Sequence, residues 1–521
     1  MSFTSLPFIG FLLLVFALYY TLPKKAQWPL LLLASLGFYA CAGWQGLCYV
    51  TITVVSIYFI ARGIDRLQQK QKAHVAAHRE EMSREARKAY NHQQKKRQRG
   101  WLLLGTLLGF GQLAAVKVLG ALIGANPGAF QFNSVRFDTV VFLGISFYIF
   151  RIMGYLIDVY WGKIRAQRNP FKLALFTLFF PQVLQGPISR YEFTSGTLFQ
   201  PHKFDWGMIS SGLQRVIWGY FKKLLIADRL LVAVKSLTQT PGEYGGLFAL
   251  AAMLIYAAQL YCDFTGGMDI ALGIGEVLGV KMEENFLSPF RSRNIFEYWR
   301  RWHITMGTWF RDYIFYPVSV AKPLQALTAK TKKRFGPKIS RRVPVYIATI
   351  ATWFVTGIWH GLAWNFIVWG LLNGIVILIS QELQPLYEKL HRKFPRMRGK
   401  PYDAFQIVRT FLLMALIRAF DIYQNVPLTF KNIGSILIKP RFGAFFAAFG
   451  AGEWFGLAWQ DWLVAALGLA LVIAAPWFRG HSLRPAKRPP ALFWCALVLA
   501  ILVFGMYGLG FDAASFIYTR F

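Results

Sequence analysis

Apolar segments long enough to cross a lipid bilayer recur along the whole chain, and they constrain its fold more than any other feature. A membrane-spanning helix needs about 20 mostly apolar residues, with a range of about 17–25. The composition agrees, because 55% of the residues are hydrophobic, only 16% are charged and the mean hydropathy is +0.38. Since lipid cannot hydrogen-bond the backbone, we predict an all-α, polytopic integral membrane protein with roughly 11–13 transmembrane helices plus re-entrant or interfacial helices. The candidate spans are residues 6–23, 28–45, 47–62, 101–123, 137–158, 207–235, 244–262, 264–280, 344–361, 363–380, 405–423, 457–478 and 491–511.

The basic residues indicate how these helices are oriented. The net charge is +34, but Lys and Arg fall in short stretches between apolar segments, so a nucleic-acid partner is not predicted. Such stretches are typical of cytoplasmic loops and face the anionic surface of the inner leaflet. Counting spans between them predicts that both termini lie outside. The basic stretches are 24–25, 62–99, 163–168, 322–342, 392–400 and 479–488.

Three segments differ from simple spans. Residues 62–99 are polar, and either a cytoplasmic amphipathic or coil-forming segment or a solvated flexible loop fits them. Residues 171–187 are apolar but contain two prolines and a glycine near their end, which favours a re-entrant or broken element. Residues 286–320 mix aromatic and charged side chains and are too polar to face lipid, so we expect helices tucked into or against the bundle.

His360 is an ionisable residue within membrane-length apolar sequence, in Gly-Ile-Trp-His-Gly-Leu-Ala-Trp at 357–364. Such residues are costly in lipid and usually face a bundle interior or a water-filled cavity. An imidazole exchanges a proton near neutral pH, which suits activation of a hydroxyl group for attack on an acyl carbon. Gly357 and Gly361 would leave room beside the ring for substrate or backbone, and Trp359 would supply an amphipathic wall. A histidine that only hydrogen-bonds between packed helices is the alternative.

A second histidine, His303, ends the segment Glu-Tyr-Trp-Arg-Arg-Trp-His at 297–303. Arg300 and Arg301 could hold a phosphate or carboxylate bidentately, or could pair with nearby carboxylates or lipid headgroups. The alternation of aromatic and charged residues also suits a short helix anchored at a membrane interface. The two histidines together make an intramembrane reaction centre the first hypothesis, with interfacial anchoring as the alternative for this segment.

Two aspartates, Asp263 and Asp269, lie between apolar runs. Their spacing does not place them on one helical face, so we do not expect a paired-carboxylate site. We expect Asp263 to cap or break a helix, and Asp269, which lies deeper, could pair with an arginine. The glycines at 273, 275 and 279 have the wrong spacing for a phosphate loop and are expected to allow close helix approach.

Several chemistries are not supported by any motif. The chain has no Walker motif, no His-Glu-x-x-His and no Gly-x-Ser-x-Gly. Its four cysteines show no metal or redox spacing. We therefore predict no metal site and no bound cofactor, and neither a serine hydrolase nor a zinc protease.

Taken together, these segments resemble the membrane-bound O-acyltransferase family, and in particular its bacterial polysaccharide O-acetylase branch, which is related to the teichoic-acid D-alanyl transferase. The match runs through most of the chain. It rests on Gly-Ile-Ser-Phe-Tyr (144–148), Tyr-Leu-Ile-Asp-Val-Tyr (155–160), Pro-Gln-Val-Leu-Gln-Gly-Pro-Ile (181–188), Tyr-Cys-Asp-Phe-Thr-Gly-Gly-Met-Asp (261–269), Glu-Asn-Phe (284–286), Trp-Arg-Arg-Trp-His (299–303) and Gly-Ile-Trp-His-Gly-Leu-Ala-Trp (357–364). The ending Phe-Ile-Tyr-Thr-Arg-Phe (516–521) is similar to that of polysaccharide acetylases, although Thr519 departs from the usual aromatic residue.

The resemblance implies an enzyme of the bacterial cytoplasmic membrane that carries a small acyl group, acetyl above all, to an extracytoplasmic polysaccharide. It implies a cytoplasmic acyl donor, acetyl-CoA or a phosphopantetheine thioester on a carrier protein, and transfer directly or through an extracytoplasmic partner. His360 matches the catalytic histidine of the family, and His303 matches its second histidine. We assign substrate contacts to Trp359, Trp302, Arg311, Asp312, Asn285, Gln185 and Asp269. The predicted organisation is one membrane domain (1–521) with a cytoplasmic loop (62–100), a catalytic core (137–380) and C-terminal helices (401–521).

Three other functions remain as alternatives to polysaccharide acetylation. D-Alanyl transfer to teichoic acid from a carrier protein would use the same chemistry on another acyl group. A transporter also uses buried histidines and broken helices, although its frequent inverted repeat is not evident here. A passive scaffold for a surface-polymer machine would not need His360 at all.

Overall fold

A computed structural model describes residues 2–41, 43–125, 131–132, 135–136, 144–239, 244–395, 399–448, 453–478 and 489–507. Within these residues the chain is mostly helical, with connecting loops and two antiparallel pairs of very short strands. Strand β1 (Gln131–Phe132) pairs with β2 (Val135–Arg136), and β3 (Glu453–Trp454) pairs with β4 (Leu457–Ala458). The predicted all-α class is confirmed. The basic stretch 479–488, the ending 516–521 and the first residues of the span at 137–158 lie outside the described residues.

The chain divides into two compact units, the first being Met1–Leu213 with Ala271–Glu283. Two helices, α9 and α11, run from one unit into the other. The first unit and these two helices comprise α1 (Leu6–Thr21), α2 (Gln27–Ala40), α3 (Trp44–Ala77), α4 (Arg84–Ala125), α5 (Ile145–Trp161), α6 (Pro170–Leu178), α7 (Phe180–Val183), α8 (Tyr191–Leu198), α9 (Trp206–Tyr220) and α11 (Leu247–Val277), with a 3-10 turn at Lys24–Ala26.

The second unit is Gln214–Ile270 with Glu284–Phe521. Besides the shared helices it comprises α10 (Asp228–Thr238), α12 (Ile295–Arg301), α13 (Ile304–Phe310), α14 (Tyr316–Ser319), α15 (Lys322–Ser340), α16 (Val343–His360), α17 (Trp364–Glu382), α18 (Gln384–Lys393), α19 (Lys400–Ile417), α20 (Ala419–Tyr423), α21 (Val426–Ile438), α22 (Phe442–Ala447), α23 (Trp459–Phe478) and α24 (Ala491–Phe504). A 3-10 turn lies at Pro289–Arg291, and π-helical segments lie at Phe221–Ala227 and Arg311–Phe315.

Several helices have the length and composition to cross a membrane. Among the described residues, five helices meet both conditions: α3, α4 (within Arg84–Leu119), α11, α16 and α17. Four shorter apolar helices, α1, α21, α23 (within Trp459–Ala475) and α24, accompany them. The protein is therefore a multi-pass membrane protein.

The helix α11 corrects one expectation from the sequence. Residues 244–262 and 264–280 were predicted as two spans with Asp263 capping or breaking a helix, but α11 continues through Asp263 without interruption. The carboxylate accepts a hydrogen bond from Lys223 Nζ at 2.6 Å, so a buried cation stabilises it inside the helix. The expectation was wrong because it weighed the capping preference of aspartate and could not include a partner 40 residues away.

Other backbone expectations agree with the structure. The segment 171–187 is broken, because α6 ends before Phe179 and only the four-residue α7 follows. The polar stretch 62–99 is helical over most of its length, since α3 continues to Ala77 and α4 begins at Arg84. The glycine-rich part of α11 also allows close helix approach, because a Cβ on Gly212 of α9 would lie 2.6 Å from the carbonyl oxygen of Gly273.

Candidate active site

His303 occupies a strained turn between α12 and α13. Its φ angle of 47° lies in the left-handed region, which costs a residue with a side chain roughly 1–3 kcal/mol. The neighbouring segment holds this turn, because the Ile304 N–H donates to the Asn285 carbonyl and the Leu287 N–H donates to the Arg301 carbonyl, both at 3.0 Å. Strain of this kind persists where the surroundings impose it, and it is concentrated at functional sites.

The contacts of the His303 ring define its tautomer. Asn285 Oδ1 accepts from the Thr305 backbone N–H at 3.0 Å and from the Thr305 hydroxyl at 2.9 Å, so it is the oxygen end of the amide. His303 Nδ1 lies 3.2 Å from the same oxygen and must donate to it. In the neutral ring the proton is therefore on Nδ1, and Nε2 carries the basic lone pair.

Burial keeps this imidazole neutral. His303 is fully buried, and its ring meets the Phe264 ring edge-on at 4.9 Å. Removal from solvent lowers the pKa of His303 from its ordinary value to about 3. The residue is thus a neutral base at physiological pH.

The two histidines share one neighbour, Trp359. Its ring centroid lies 4.6 Å from that of His360 and 6.3 Å from that of His303, tilted by 66° in each case. His360 is the last residue of α16, it is half-buried, and its ring also meets the Trp369 ring edge-on at 4.7 Å. The structure therefore brings the two predicted catalytic residues into one aromatic cluster, and His360 is not sealed among aliphatic side chains.

The glycines beside His360 serve helix packing. A Cβ on Gly357 would lie 2.6 Å from the Phe366 carbonyl oxygen, and a Cβ on Gly361 would lie 2.4 Å from the Phe366 ring. On the partner helix, a Cβ on Gly370 would lie 2.4 Å from the Trp353 carbonyl oxygen. The space expected for substrate or backbone is filled by α17, so these glycines let α16 and α17 approach closely.

A cavity of about 490 Å³ lies beside His303. Its walls come from α12, α13 and the membrane-length helices α16 and α17, and they are mostly apolar and aromatic. His303, Trp302 and Arg311 among the predicted site residues line it, together with Arg300. His360 lies outside the lining, one helical turn beyond Thr356, which does line it.

The threonines of α16 are the main site feature that the sequence analysis missed. Thr349, Thr352 and Thr356 line the cavity on one face of the helix. Thr352 and Thr356 donate their hydroxyl protons to carbonyls one turn earlier, at 2.6 and 2.8 Å, which satisfies them while leaving oxygen lone pairs. The spacing 352, 356, 360 is a polar stripe on an apolar helix that ends at His360, and this pattern could have been found in the sequence.

Trp302 contributes one face to the cavity and is supported by a buried arginine. The Arg418 guanidinium lies over the Trp302 ring at 4.1 Å and donates to the Tyr298 hydroxyl at 3.0 Å. The Trp302 and Tyr298 rings stack at 5.7 Å with an interplanar angle of 11°. The sequence analysis did not predict this position of Arg418 under the Trp302 ring.

The remaining predicted site residues divide between the cavity and its supports. Arg311 pairs with its neighbour Asp312 at 2.9 Å and is half-exposed, while Asp312 does not line the cavity. Asp269 pairs with Arg215 at 2.9 Å, as the sequence suggested, and also with Lys222 at 2.7 Å. These aspartates therefore hold cations in place rather than form cavity walls.

Gln185 belongs to the other compact unit. It is fully buried, and within the described residues neither polar atom of its side chain has a hydrogen-bond partner. Its predicted contact with substrate stays a prediction.

A metal site was not predicted from the sequence. Among the residues that the structure describes, no group of three or more His, Cys, Asp or Glu side chains is arranged to hold a metal ion.

The chain is similar to a known protein family and to several known proteins. The model of the membrane-bound O-acyltransferase family (MBOAT) matches residues 164–329 and 333–419, which include both histidines. A probable alginate O-acetylase of Pseudomonas syringae pathovar tomato is 31% identical over 334 residues, covering 61% of this chain and 56% of that protein. The protein of the same name from Azotobacter vinelandii is 31% identical over 401 residues, covering 74% and 69%.

The name of a third relative refers to peptidoglycan and not to alginate. A peptidoglycan O-acetyltransferase of Helicobacter pylori is 29% identical over 431 residues, covering 76% of this chain and 73% of that protein. The chain thus matches between 56 and 73% of the length of these three relatives.

Proposed function

The chain belongs to the membrane-bound O-acyltransferase family, and from this premise we propose that it is an O-acyltransferase of the bacterial cytoplasmic membrane. The proposed substrates are a small acyl group, acetyl, on a cytoplasmic thioester donor and a hydroxyl group of an extracytoplasmic polysaccharide. Transfer takes place directly or through an extracytoplasmic partner protein. The names of the relatives, which refer to O-acetylation of alginate and of peptidoglycan, support acetyl as the group and a polysaccharide as the acceptor.

The observation that carries this proposal is the contact of Trp359 with both histidine rings, beside a cavity that His303 lines. A base is useful only if the reacting groups can reach it, and we propose that they meet where this cavity ends at Thr356, one helical turn before His360. We propose that the half-buried His360 meets the acceptor, and that the buried, neutral His303 lies near the donor without adding charge there.

The proposed reaction is a single acyl transfer. The His360 imidazole takes the proton of the acceptor hydroxyl group while the oxygen of that hydroxyl group attacks the thioester carbonyl carbon. The tetrahedral intermediate then collapses, the carbon–sulfur bond breaks, and the departing sulfur takes the proton back from the imidazolium. General-base assistance of this kind contributes about 10²–10⁴ in rate.

The donor is expected to enter beside the arginines of the cavity. Acetyl-CoA and a phosphopantetheine thioester on a carrier protein both carry phosphate, and Arg300 and Arg311 are at the cavity walls. The basic stretch 322–342 precedes α16 and is proposed to lie on the cytoplasmic side, with both termini outside. The Trp359 and Trp302 rings would contact the acyl end of the donor.

A turnover assay with the full-length protein in lipid nanodiscs tests the proposal. Acetyl-CoA is supplied with soluble alginate or peptidoglycan fragments, and both thiol release and ester formation are measured. We expect His360→Ala and His303→Ala each to lower the rate at least 100-fold with normal protein yield. His78→Ala, on the polar segment after α3, is the matched histidine control and should keep the wild-type rate.

Other outcomes would point to other functions. Turnover of a D-alanyl-loaded carrier in place of acetyl-CoA would keep the reaction class and change the acyl group. Transport of a solute without thioester cleavage would contradict the proposal. So would acylation by the His360→Ala variant at the wild-type rate, because a scaffold would not need this imidazole.

A further inference from the structure

A second cavity, of about 760 Å³, lies in the same unit as the histidines. It is bounded by α12, α17, α18 and α19, and its two sides differ in chemistry. Val376 and Ile379 on the last turns of α17, with Leu383 directly after the helix, form an apolar side. Arg300, Arg409 and His391 bring side-chain nitrogens to the lining from three other helices. A cavity of this kind suits an amphiphilic, anionic ligand.

Within the part of the chain that the structure describes, the two arginines of this cavity form no ion pair with a carboxylate. Among the described residues, Arg300 forms no ion pair, and Arg409 donates only to the Arg293 carbonyl oxygen, at 3.0 Å. His391 Nε2 is buried, and among the residues that the structure describes it has no hydrogen-bond partner. Buried polar nitrogens are nearly always satisfied, so this nitrogen is available to a ligand, to which it would donate in its Nε2–H tautomer.

One acidic residue, Glu388, also lines the cavity. It is exposed, and its Oε1 accepts a hydrogen bond from the Gln384 amide at 3.1 Å. Two arginines against one carboxylate leave the lining with an excess of positive charge. The ligand is therefore expected to carry at least one negative charge.

Two residues, Phe296 and Arg300, line both this cavity and the one beside His303. A ligand whose anionic group contacts Arg300 from the larger cavity would thus lie next to the reaction centre. Arg300 can give two parallel hydrogen bonds, which match the oxygens of a phosphate.

We propose that the larger cavity binds a phosphate ester attached to an uncharged chain, with Arg300 and Arg409 on the phosphate and the α17 side chains against the chain. Two sources have this chemistry: a membrane phospholipid and the pantetheine phosphate of a thioester donor. The second source rests on the proposed transferase function, whereas the first does not.

Binding of matched ligand pairs to the full-length protein in detergent micelles tests this site. One pair is a phosphatidylglycerol and the diacylglycerol with the same acyl chains. The other pair is pantetheine 4′-phosphate and pantetheine. Affinities are measured by native mass spectrometry for the lipids and by calorimetry for the soluble compounds. We expect the phosphorylated member of at least one pair to bind at least tenfold more tightly.

Variants show whether that preference comes from this cavity. Arg300→Gln and Arg409→Gln should each reduce the preference about tenfold, and Glu388→Gln should strengthen binding of the phosphorylated compound. Arg334→Gln, on the exposed face of α15, is the matched control and should change nothing. Arg300 is exposed, so its variant is expected to fold, and size-exclusion profiles check this.

The results separate the two sources and can overturn the site. A preference within the lipid pair alone identifies a phospholipid, and one within the pantetheine pair alone identifies the donor arm. The site is overturned if neither pair shows a preference for phosphate, or if the preference survives both arginine variants. Because no turnover is measured, an inactive protein that still binds these ligands would contradict only the proposed transferase function.

Discussion

Arg215 holds Glu284 through two hydrogen bonds, at 2.6 and 2.7 Å, directly before the Asn285 that orients His303. Arg215 Nε also donates to Asp269 on α11 at 2.9 Å. Asn285 makes a second contact with α11, because its side-chain amide donates a hydrogen bond to the sulfur of Met268 at 3.4 Å. Because bidentate arginine–carboxylate pairs fix geometry as well as charge, we infer that Arg215 positions the segment that sets the His303 tautomer.

Replacing Arg215 by Gln is expected to lower kcat about tenfold while the KM for the thioester donor changes little. The residue does not line the cavity, so its effect passes through Asn285 and His303. Arg215→Lys should restore only part of the activity, because a lysine cannot form the parallel pair of bonds. Arg229→Gln breaks an ion pair with Asp461 in the same unit and is the stability control. An equal loss of kcat in that control would contradict a positioning role.

Lys223 is expected to matter for stability. Its Nζ lies 2.8 Å from Asp228 and 2.6 Å from Asp263, and all three side chains are at most 2% exposed. Lys223→Met would leave two buried carboxylates without their cation, so we expect a loss of about 3–5 kcal/mol in the free energy of unfolding. Chemical unfolding in detergent micelles measures this value.

Neutralising the two carboxylates at the same time tests the cause of that loss. The triple variant Lys223→Met, Asp228→Asn, Asp263→Asn should recover most of the lost stability, because no unpaired charge remains. Lys235→Met, at an exposed position of α10, should be near wild type. A single Lys223→Met variant as stable as wild type would show that the cluster does not form.

The sequence predicted the features that depend on local pattern. The broken element before Gln185 follows from prolines and a glycine close together, and the all-α class follows from segment length and hydropathy. The pairing of Asp269 with an arginine was suggested because a charge inside an apolar helix needs a partner. That His303 and His360 lie in one aromatic cluster agrees with the hypothesis of a single reaction centre.

The features that could not be predicted depend on partners distant in the sequence. Asp263 lies within α11 because Lys223 reaches it, and no local preference of aspartate reveals that contact. Arg418 supports Trp302 across more than 100 residues of chain. The role of the glycines around His360 was open for a similar reason, since only the position of Phe366 decides whether the space beside them is filled.

The close approach of α16 and α17 gives a third prediction. Gly370→Ala would place a methyl group 2.4 Å from the Trp353 carbonyl oxygen and must push the helices apart. We expect a loss of about 1–3 kcal/mol in stability and a lower acyl-transfer rate, because His360 ends α16 and packs on Trp369 of α17. Gly434→Ala, where the nearest atom is 4.0 Å away, is the matched control and should be neutral or stabilising. Unfolding and turnover of both variants should be measured together.

His303 gives a prediction for the pH dependence of stability. Its pKa is about 3 in the folded protein against about 6.5 when exposed, so between these values only the unfolded chain binds the proton. The free energy of unfolding should therefore fall as the pH drops below about 6.5, by up to about 1.4 kcal/mol per pH unit from this residue alone. His303→Gln removes the titration, so the stability of wild type relative to the variant should decrease by about 2–3 kcal/mol between pH 6.5 and pH 4.5. Chemical unfolding of both proteins in the same micelles measures this difference, with His78→Gln as the control for residue type. Parallel pH profiles of wild type and His303→Gln would contradict a buried, neutral imidazole at this position.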